Sequence, residues 1–167
     1  TGNGATPVPV VLTAADLGGA SGLADGTITV SATQTDTAGN VQSVAASAAS
    51  FTLDTTAPAT PTVTALTTND PTPVVSGTAE AGSTVEVTVG GATYTVTANG
   101  SGQWSVDTRT ATPASGTFSL GADGAKTVSV TSTDAAGNSS SGNGSLTLDT
   151  VAPTVPVLAL GVGVSDV

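Results

Sequence analysis

Apolar and polar residues alternate with a period of two through the middle of this chain, in short runs separated by turn residues. Over Thr84 to Val89, Val85, Val87 and Val89 fall on one side and Glu86 and Thr88 on the other. That alternation marks a strand with one buried face. The same reading sets Tyr94 and Val96 inward over Thr93 to Thr97, and Trp104 and Val106 inward over Gln103 to Asp107. It sets Val128 and Val130 inward over Lys126 to Ser132, and Leu146 and Leu148 inward over Ser145 to Asp149. Val63 to Leu66 and Val74 to Ala79 complete seven predicted strands. Gly90-Gly91 is a hairpin signal and Asn99-Gly100-Ser101-Gly102 a turn. Seven such strands are enough for an antiparallel sandwich.

The pattern also repeats. Ala24-Asp25-Gly26 precedes Thr35-Asp36-Thr37-Ala38-Gly39-Asn40, just as Ala122-Asp123-Gly124 precedes Thr133-Asp134-Ala135-Ala136-Gly137-Asn138. Further on, Leu53-Asp54-Thr55-Thr56-Ala57-Pro58 matches Leu148-Asp149-Thr150-Val151-Ala152-Pro153. The period is 98 residues between Asp36 and Asp134 and 95 between Asp54 and Asp149, because the first copy carries three extra residues after Asn40. A repeat near this length suits an immunoglobulin-like sandwich and is too long for a solenoid or propeller unit. The expected fold class is all-β, with tandem immunoglobulin-like antiparallel β-sandwiches joined end to end by proline-stiffened links. Residues 1–57 are expected to be the second half of a preceding unit, with strands over Val8 to Leu12, Ile28 to Ala32 and Phe51 to Leu53. Residues 58–153 are expected to be one complete unit. Residues 154–167 should open a following one, with a candidate strand over Val155 to Leu160.

Composition narrows the functions open to such a fold. The 167 residues include no His, Cys or Met, and the only basic residues are Arg109 and Lys126. Acid–base and nucleophilic catalysis then rests on carboxylates alone. Asp123 and Asp134, as a hydrolytic pair, would lie at opposite ends of one strand, farther apart than the roughly 5–10 Å such a dyad needs. The chain is expected not to be an enzyme. A net charge of -10 argues against nucleic acid and anionic membrane surfaces as partners. No apolar run is long enough to span a bilayer. The acids are spread singly and mean hydropathy is +0.26, unlike a disordered acidic tail. Aromatics make up 2% of the chain, and Trp104 and Tyr94 fall on inward positions, which leaves no stacking platform for a glycan.

Several motifs carry a family resemblance. They are Asn69-Asp70-Pro71-Thr72-Pro73, Gly77-Thr78-Ala79-Glu80-Ala81-Gly82-Ser83 and Gly102-Gln103-Trp104-Ser105-Val106, followed by the Ala-Asp-Gly, Asp-Ala-Ala-Gly-Asn and Leu-Asp-Thr-Val-Ala-Pro segments quoted above. In that order and spacing the chain resembles the bacterial immunoglobulin-like tandem repeats of giant adhesins exported by type 1 secretion. Residues 1–57 look like a sister repeat type, with Leu12-Thr13-Ala14-Ala15-Asp16-Leu17 before the turn. The resemblance implies a secreted or cell-surface stalk that binds calcium and serves attachment and biofilm formation. Its partners would be neighbouring repeats of the same chain, with any host or biofilm surface reached through other parts of the full protein. A spacer of this kind is the leading functional expectation. A glycan- or ice-binding surface module is the alternative.

Strand direction places the acids. With each strand reversing the last, Asp70, Asp123 and Asp149 gather at one pole of the complete unit, with Asp107 near them. Glu80, Asp134 and Asn138 gather at the other, where Asp25 and Asp54 of the preceding half-unit are expected to join them. Asp, Gly and Asn also suit tight turns without any metal. The expected cofactor is Ca2+, which accepts 6–8 oxygen ligands at flexible geometry.

Overall fold

In the computed structural model, residues 23–30, 37–41 and 49–156 are described. The chain divides into two compact units, one of residues 1–57 with 135–138 and one of residues 58–134 with 139–167. The expected strand over Val8 to Leu12, Ala32 at the end of the next one, Asp36, and the larger part of Val155 to Leu160 lie outside the described residues. Val155 and Pro156 are described and belong to no strand.

Eleven strands form among the described residues, and no helix. In the first unit, β1 (Gly26–Val30) pairs antiparallel with β2 (Ala49–Leu53). In the second, β3 (Thr62–Val63), β5 (Val74–Thr78) and β8 (Gln103–Asp107) make a three-stranded sheet in the order β3-β5-β8. The remaining strands are β4 (Leu66–Thr68), β6 (Thr84–Val89), β7 (Ala92–Thr97), β9 (Ser115–Gly116), β10 (Gly124–Thr133) and β11 (Ser139–Leu148). They form a six-stranded sheet in the order β4-β11-β10-β6-β7-β9. The result is the all-β sandwich that the alternation predicts.

The inward positions read from the period fill the core. Val85, Val87, Tyr94, Trp104, Val106, Val128, Val130, Leu146 and Leu148 are all buried, joined by Val75, Ala92 and Leu120. Trp104 faces Gly77 across the β5–β8 pair. A Cβ at Gly77 would stand 2.6 Å from the Trp104 ring and overlap the Thr62 carbonyl oxygen, so a side chain there would displace the indole. The Tyr94 hydroxyl and the Trp104 indole N–H lie buried with no hydrogen-bond partner among the described residues.

The structure departs from the sequence reading in three places. The run expected as one strand over Val63 to Leu66 is split. β3 pairs antiparallel with β5, then the chain crosses to the other sheet and β4 pairs parallel with β11. Second, β11 begins at Ser139 rather than Ser145. Its first half, with Gly142 and Gly144 at the inward phase, lacks the apolar side chains that mark a strand. The reason is steric, since a Cβ at Gly142 would overlap the Pro61 carbonyl oxygen and one at Gly144 the Val63 side chain. The incoming first strand occupies the space that side chains on β11 would fill. The third difference is β9, two residues that close the edge beside β7 and carry no apolar pattern at all.

Replacing Gly144 by Val forces the Val63 contact apart and is expected to destabilise the second unit by about 2–3 kcal/mol. Trp104→Ala should cost about 3–5 kcal/mol through lost burial and an unfilled cavity. Urea unfolding followed by circular dichroism checks both. A Gly144→Val midpoint equal to that of the parent chain would show that the close crossing does not exist.

Candidate functional site at the strand ends

Except for Glu86 in β6, the carboxylates of the described residues stand where strands start or stop. Within the second unit, Val74 pairs with Asp107 and Gly124 with Leu148, so the loops after β4, β8 and β11 and the loop before β10 share one end. Backbone bonds tie that end together: Asp149 donates to the Thr68 carbonyl oxygen at 2.9 Å and Thr108 to that of Pro73 at 3.2 Å. Asp70, Asp107, Asp123 and Asp149 therefore belong to one pole. Glu80 and Asp134 follow β5 and β10 at the opposite end, where Thr133 registers with Thr84. Asp25, Asp54 and Asn138 belong to the first unit, in which Asn138 donates its Nδ2 to the Asp54 carbonyl oxygen at 3.1 Å.

The geometry shows what these acids do in the fold. Asp123 accepts from the Thr150 backbone N–H at 2.8 Å and from the Thr150 hydroxyl at 2.9 Å. Asp25 does the same in its own unit, accepting from the Thr55 N–H at 2.9 Å, the Thr55 hydroxyl at 2.7 Å and the Thr56 hydroxyl at 2.6 Å. In both copies the aspartate of Ala-Asp-Gly clasps the threonine of Leu-Asp-Thr and holds the chain as it leaves the last strand. The next aspartate shapes the following turn. Asp54 accepts from the Thr56 N–H at 3.0 Å, and Asp149 from the Val151 N–H at 3.2 Å. Asp70 accepts from the Thr72 N–H at 2.8 Å and forms a 2.9 Å ion pair with Arg109. The other cation, Lys126, donates to the Ala122 carbonyl oxygen at 2.7 Å.

Among the described residues, no three His, Cys, Asp or Glu side chains gather closely enough to hold a metal ion by themselves. A calcium site built here would have to draw on backbone, Asn and hydroxyl oxygens beside one or two carboxylates, a mixture that calcium accepts. The clasping threonines are the part the sequence reading missed. Their signal is legible, since Thr55 and Thr150 follow Asp54 and Asp149 at the same place in both copies. A cavity of about 370 Å³ beside β5 and β8 is lined by Thr64, Ser76, Gly77, Thr78, Asn99, Gln103, Trp104 and Ser105. Its lining residues are uncharged, and Trp104 among them is only 3% exposed, so the cavity offers little ring surface for a sugar to stack on.

An all-β sandwich whose acids shape turns, and whose Trp104 and Tyr94 rings are buried in the core, has the build of a structural module. The family model of the bacterial Ig-like domain matches residues 63–150, and the chain belongs to that family. No curated protein sequence matches it at a significant level. A solved structure described as "Ca2+-stabilized adhesin helps an Antarctic bacterium reach out and bind ice" is 34% identical, with 77% of this chain and 33% of that chain covered, at a TM-score of 0.38. One described as a tetra-tandem repeat in the extending region of a large adhesion protein is 27% identical, with 77% and 33% covered, at 0.45. A third, from work on host cell surface retention of a 1.5-MDa bacterial ice-binding adhesin, is 32% identical, with 74% and 43% covered, at 0.34. The chain thus spans less than half the length of each.

Two outcomes follow from the clasps and the ion pair. Asp123→Ala should speed hydrogen exchange at the Thr150 amide roughly fivefold or more, the factor one net hydrogen bond is worth. Unchanged exchange there would show that the clasp holds nothing. The second outcome concerns acid. The Thr56 and Thr55 hydroxyls hold the Asp25 carboxyl below its ordinary 3.8, and the Thr72 N–H, then its hydroxyl and Arg109, do so for Asp70. A carboxyl whose folded pKa is depressed contributes stability that is complete above 3.8 and is lost as pH falls through the folded value. Melting temperature should therefore hold steady down to about pH 5 and fall below about pH 4. Asp70→Asn should flatten part of that fall. Carboxyl titration by NMR with Asp70 at or above 3.8 would contradict it.

Proposed function

We propose that this chain is a structural spacer segment of a large extracellular bacterial adhesin, working at the cell surface in attachment and biofilm formation. The observation that carries the reading is the recurrence of one frame. β1–β2 and β10–β11 share a register, Gly26 with Leu53 and Gly124 with Leu148, and end in the same Asp–Thr clasp. A chain that repeats its frame and keeps Trp104 and Tyr94 almost wholly buried suits spanning distance better than gripping a ligand. The reading agrees with the resemblance of the motifs to adhesin repeats.

The organisation proposed with it is a complete repeat over residues 58–153, preceded by the second half of another over 1–57 and followed by the opening of a third over 154–167. Its partners are neighbouring repeats. Calcium is the proposed rigidifying ion, held by sets drawn from Asp25, Asp54, Glu80, Asp134 and Asn138, and from Asp70, Asp123 and Asp149. Two features support it. Apart from Glu86 in β6, the acids of the described residues stand near strand ends, and a net charge of -10 faces only two basic side chains. A bound ion that prefers the folded state raises stability by mass action.

Thermal melting with millimolar calcium against excess chelator tests this. Calcium at about 100 times its dissociation constant should add about 2.7 kcal/mol. Asp54→Ala combined with Asp134→Ala should remove most of that gain while leaving the melt in chelator within a few degrees of the parent. A melting temperature indifferent to calcium would rule out the ion and leave the spacer reading standing on the repeat alone.

A further inference from the structure

Two identical dipeptides of the second unit sit in opposite settings. Asn99-Gly100 lies in the turn between β7 and β8, and Asn143-Gly144 lies in the middle of β11. A further copy, Asn3-Gly4, lies outside the described residues. Asn-Gly is the least hindered setting for attack of a backbone nitrogen on the preceding Asn side chain, because glycine has no Cβ to block the approach. Both Asn99 and Asn143 are exposed, so exposure does not separate them. The backbone does. Asn99 holds the corner where the chain passes from the six-stranded sheet to the three-stranded one. Its N–H donates to the Gln103 carbonyl oxygen at 2.9 Å, and its own carbonyl oxygen accepts from the Gly102 N–H at 2.8 Å. Its Oδ1 accepts from the Ser101 N–H at 2.9 Å and from the Gln103 N–H at 3.0 Å. The Gly100 N–H bonds to none of the described residues, and a Cβ on Gly100 would meet nothing within 4 Å.

We propose that Asn99 is a self-modifying residue, converted by water alone to aspartate or isoaspartate, and that Asn143 is held inert. The Gly100 nitrogen gives up its proton to solvent and bonds to Asn99 Cγ. The Cγ–Nδ2 bond breaks, Nδ2 leaves as ammonia with a proton from water, and a five-membered imide remains. Water then opens the ring. Opening at Cγ leaves an aspartate on an unchanged backbone, and opening at the backbone carbonyl leaves an isoaspartate whose backbone runs through Cβ. Water is consumed and ammonia released, with nothing oxidised or reduced. Negative charge gathers on Oδ1 as Cγ is attacked, and the two N–H donors already aimed at Oδ1 stabilise it. The turn they close folds the side chain forward over the Gly100 peptide. Swinging that peptide into line costs the single backbone bond from Gly102 to the Asn99 carbonyl oxygen. At Asn143 the same swing would break the pairing of Asn143 with Ser129 and of Gly144 with Val128, and Gly144 is pressed under Val63. There the rotation waits on local unfolding. The aspartate product keeps acceptor oxygens for Ser101 and Gln103 and puts a negative charge on the neutral cavity that Asn99 lines. The isoaspartate lengthens the corner by a methylene just ahead of Trp104.

The inference is independent of calcium and of the spacer reading. Its test holds the whole folded chain at mildly alkaline pH in chelator, beside a sample unfolded in urea at the same pH. Tandem mass spectrometry follows amide-to-acid conversion at each asparagine. The unfolded sample gives each dipeptide its intrinsic rate. On folding, Asn99 should keep a rate close to that intrinsic one, and Asn143 should slow by about a hundredfold or more. Gly100→Ala, at an open position without a left-handed φ, should leave the urea midpoint unchanged and slow conversion several-fold at Asn99 alone. Equal slowing of Asn99 and Asn143 on folding overturns the proposal, as does equal conversion of both in the folded chain. So does conversion at Asn99 that is indifferent to Gly100→Ala. None of these outcomes would alter a calcium-dependent melt.

Discussion

The sandwich depends on a core in which valine supplies half of the buried apolar side chains of the described residues, seven of fourteen. Valine offers little reach, so two valine-lined sheets keep contact only where something spans the gap or the backbones come close. The second unit uses both devices. Trp104 spans, and Gly77 opposite it gives the ring its place. Gly142 and Gly144 let the incoming first strand lie directly on β11, so that backbone and Val63 fill the layer that larger side chains would otherwise fill. The split of that strand between two sheets follows. A strand pressed onto glycines at its start can pair with β5, and after the crossing its continuation reaches β11 as a parallel edge. The core is then closed at a corner where a uniform valine face would leave a gap.

A second constraint is charge. With ten more acids than bases, a compact state carries self-repulsion that must be kept small. Separation does part of this, since the described acids sit near strand ends, and Glu86, the exception in β6, has threonines opposite it on both neighbouring strands. Local hydrogen bonding does the rest. The clasp aspartates collect N–H and hydroxyl donors, and Asp70 has Arg109 as well. These acids are therefore not idle charges awaiting a cation. Each already organises a turn, and an ion would be added to a frame the protein has built.

How far the sequence could be read follows from the same physics. Strands with one side chain in the core at every second position were legible, and β6 and β8 match their predicted bounds. What was not legible is structure whose inward positions are empty. The first half of β11 is glycine and serine because another segment of chain fills its side of the core, and β9 is too short to show a period. The split first strand was hidden because a change of sheet leaves no mark on an alternation of two. At the strand ends, direction alone placed Asp70, Asp123 and Asp149 at one pole. The donors they use were missed because threonine reads as an ordinary strand residue until its partner is known.

What recurs between the two copies bears on function. A binding site would be marked by side chains that project from the frame and differ from copy to copy, since specificity needs local shape. Here the opposite holds. The Ala-Asp-Gly turn, the strand register and the threonine that closes the clasp recur, and each fixes the course of the backbone. Outward positions such as Ser76 on β5 and Ser105 on β8 are short, neutral and hydroxylated. A surface of that kind keeps its water and offers a partner little reason to displace it, while the same acidic charge on every copy discourages copies from adhering side by side. The sequence thus spends its specific residues on making each unit leave its last strand in the same way, a requirement that a chain acting through its length imposes and one acting through a pocket does not.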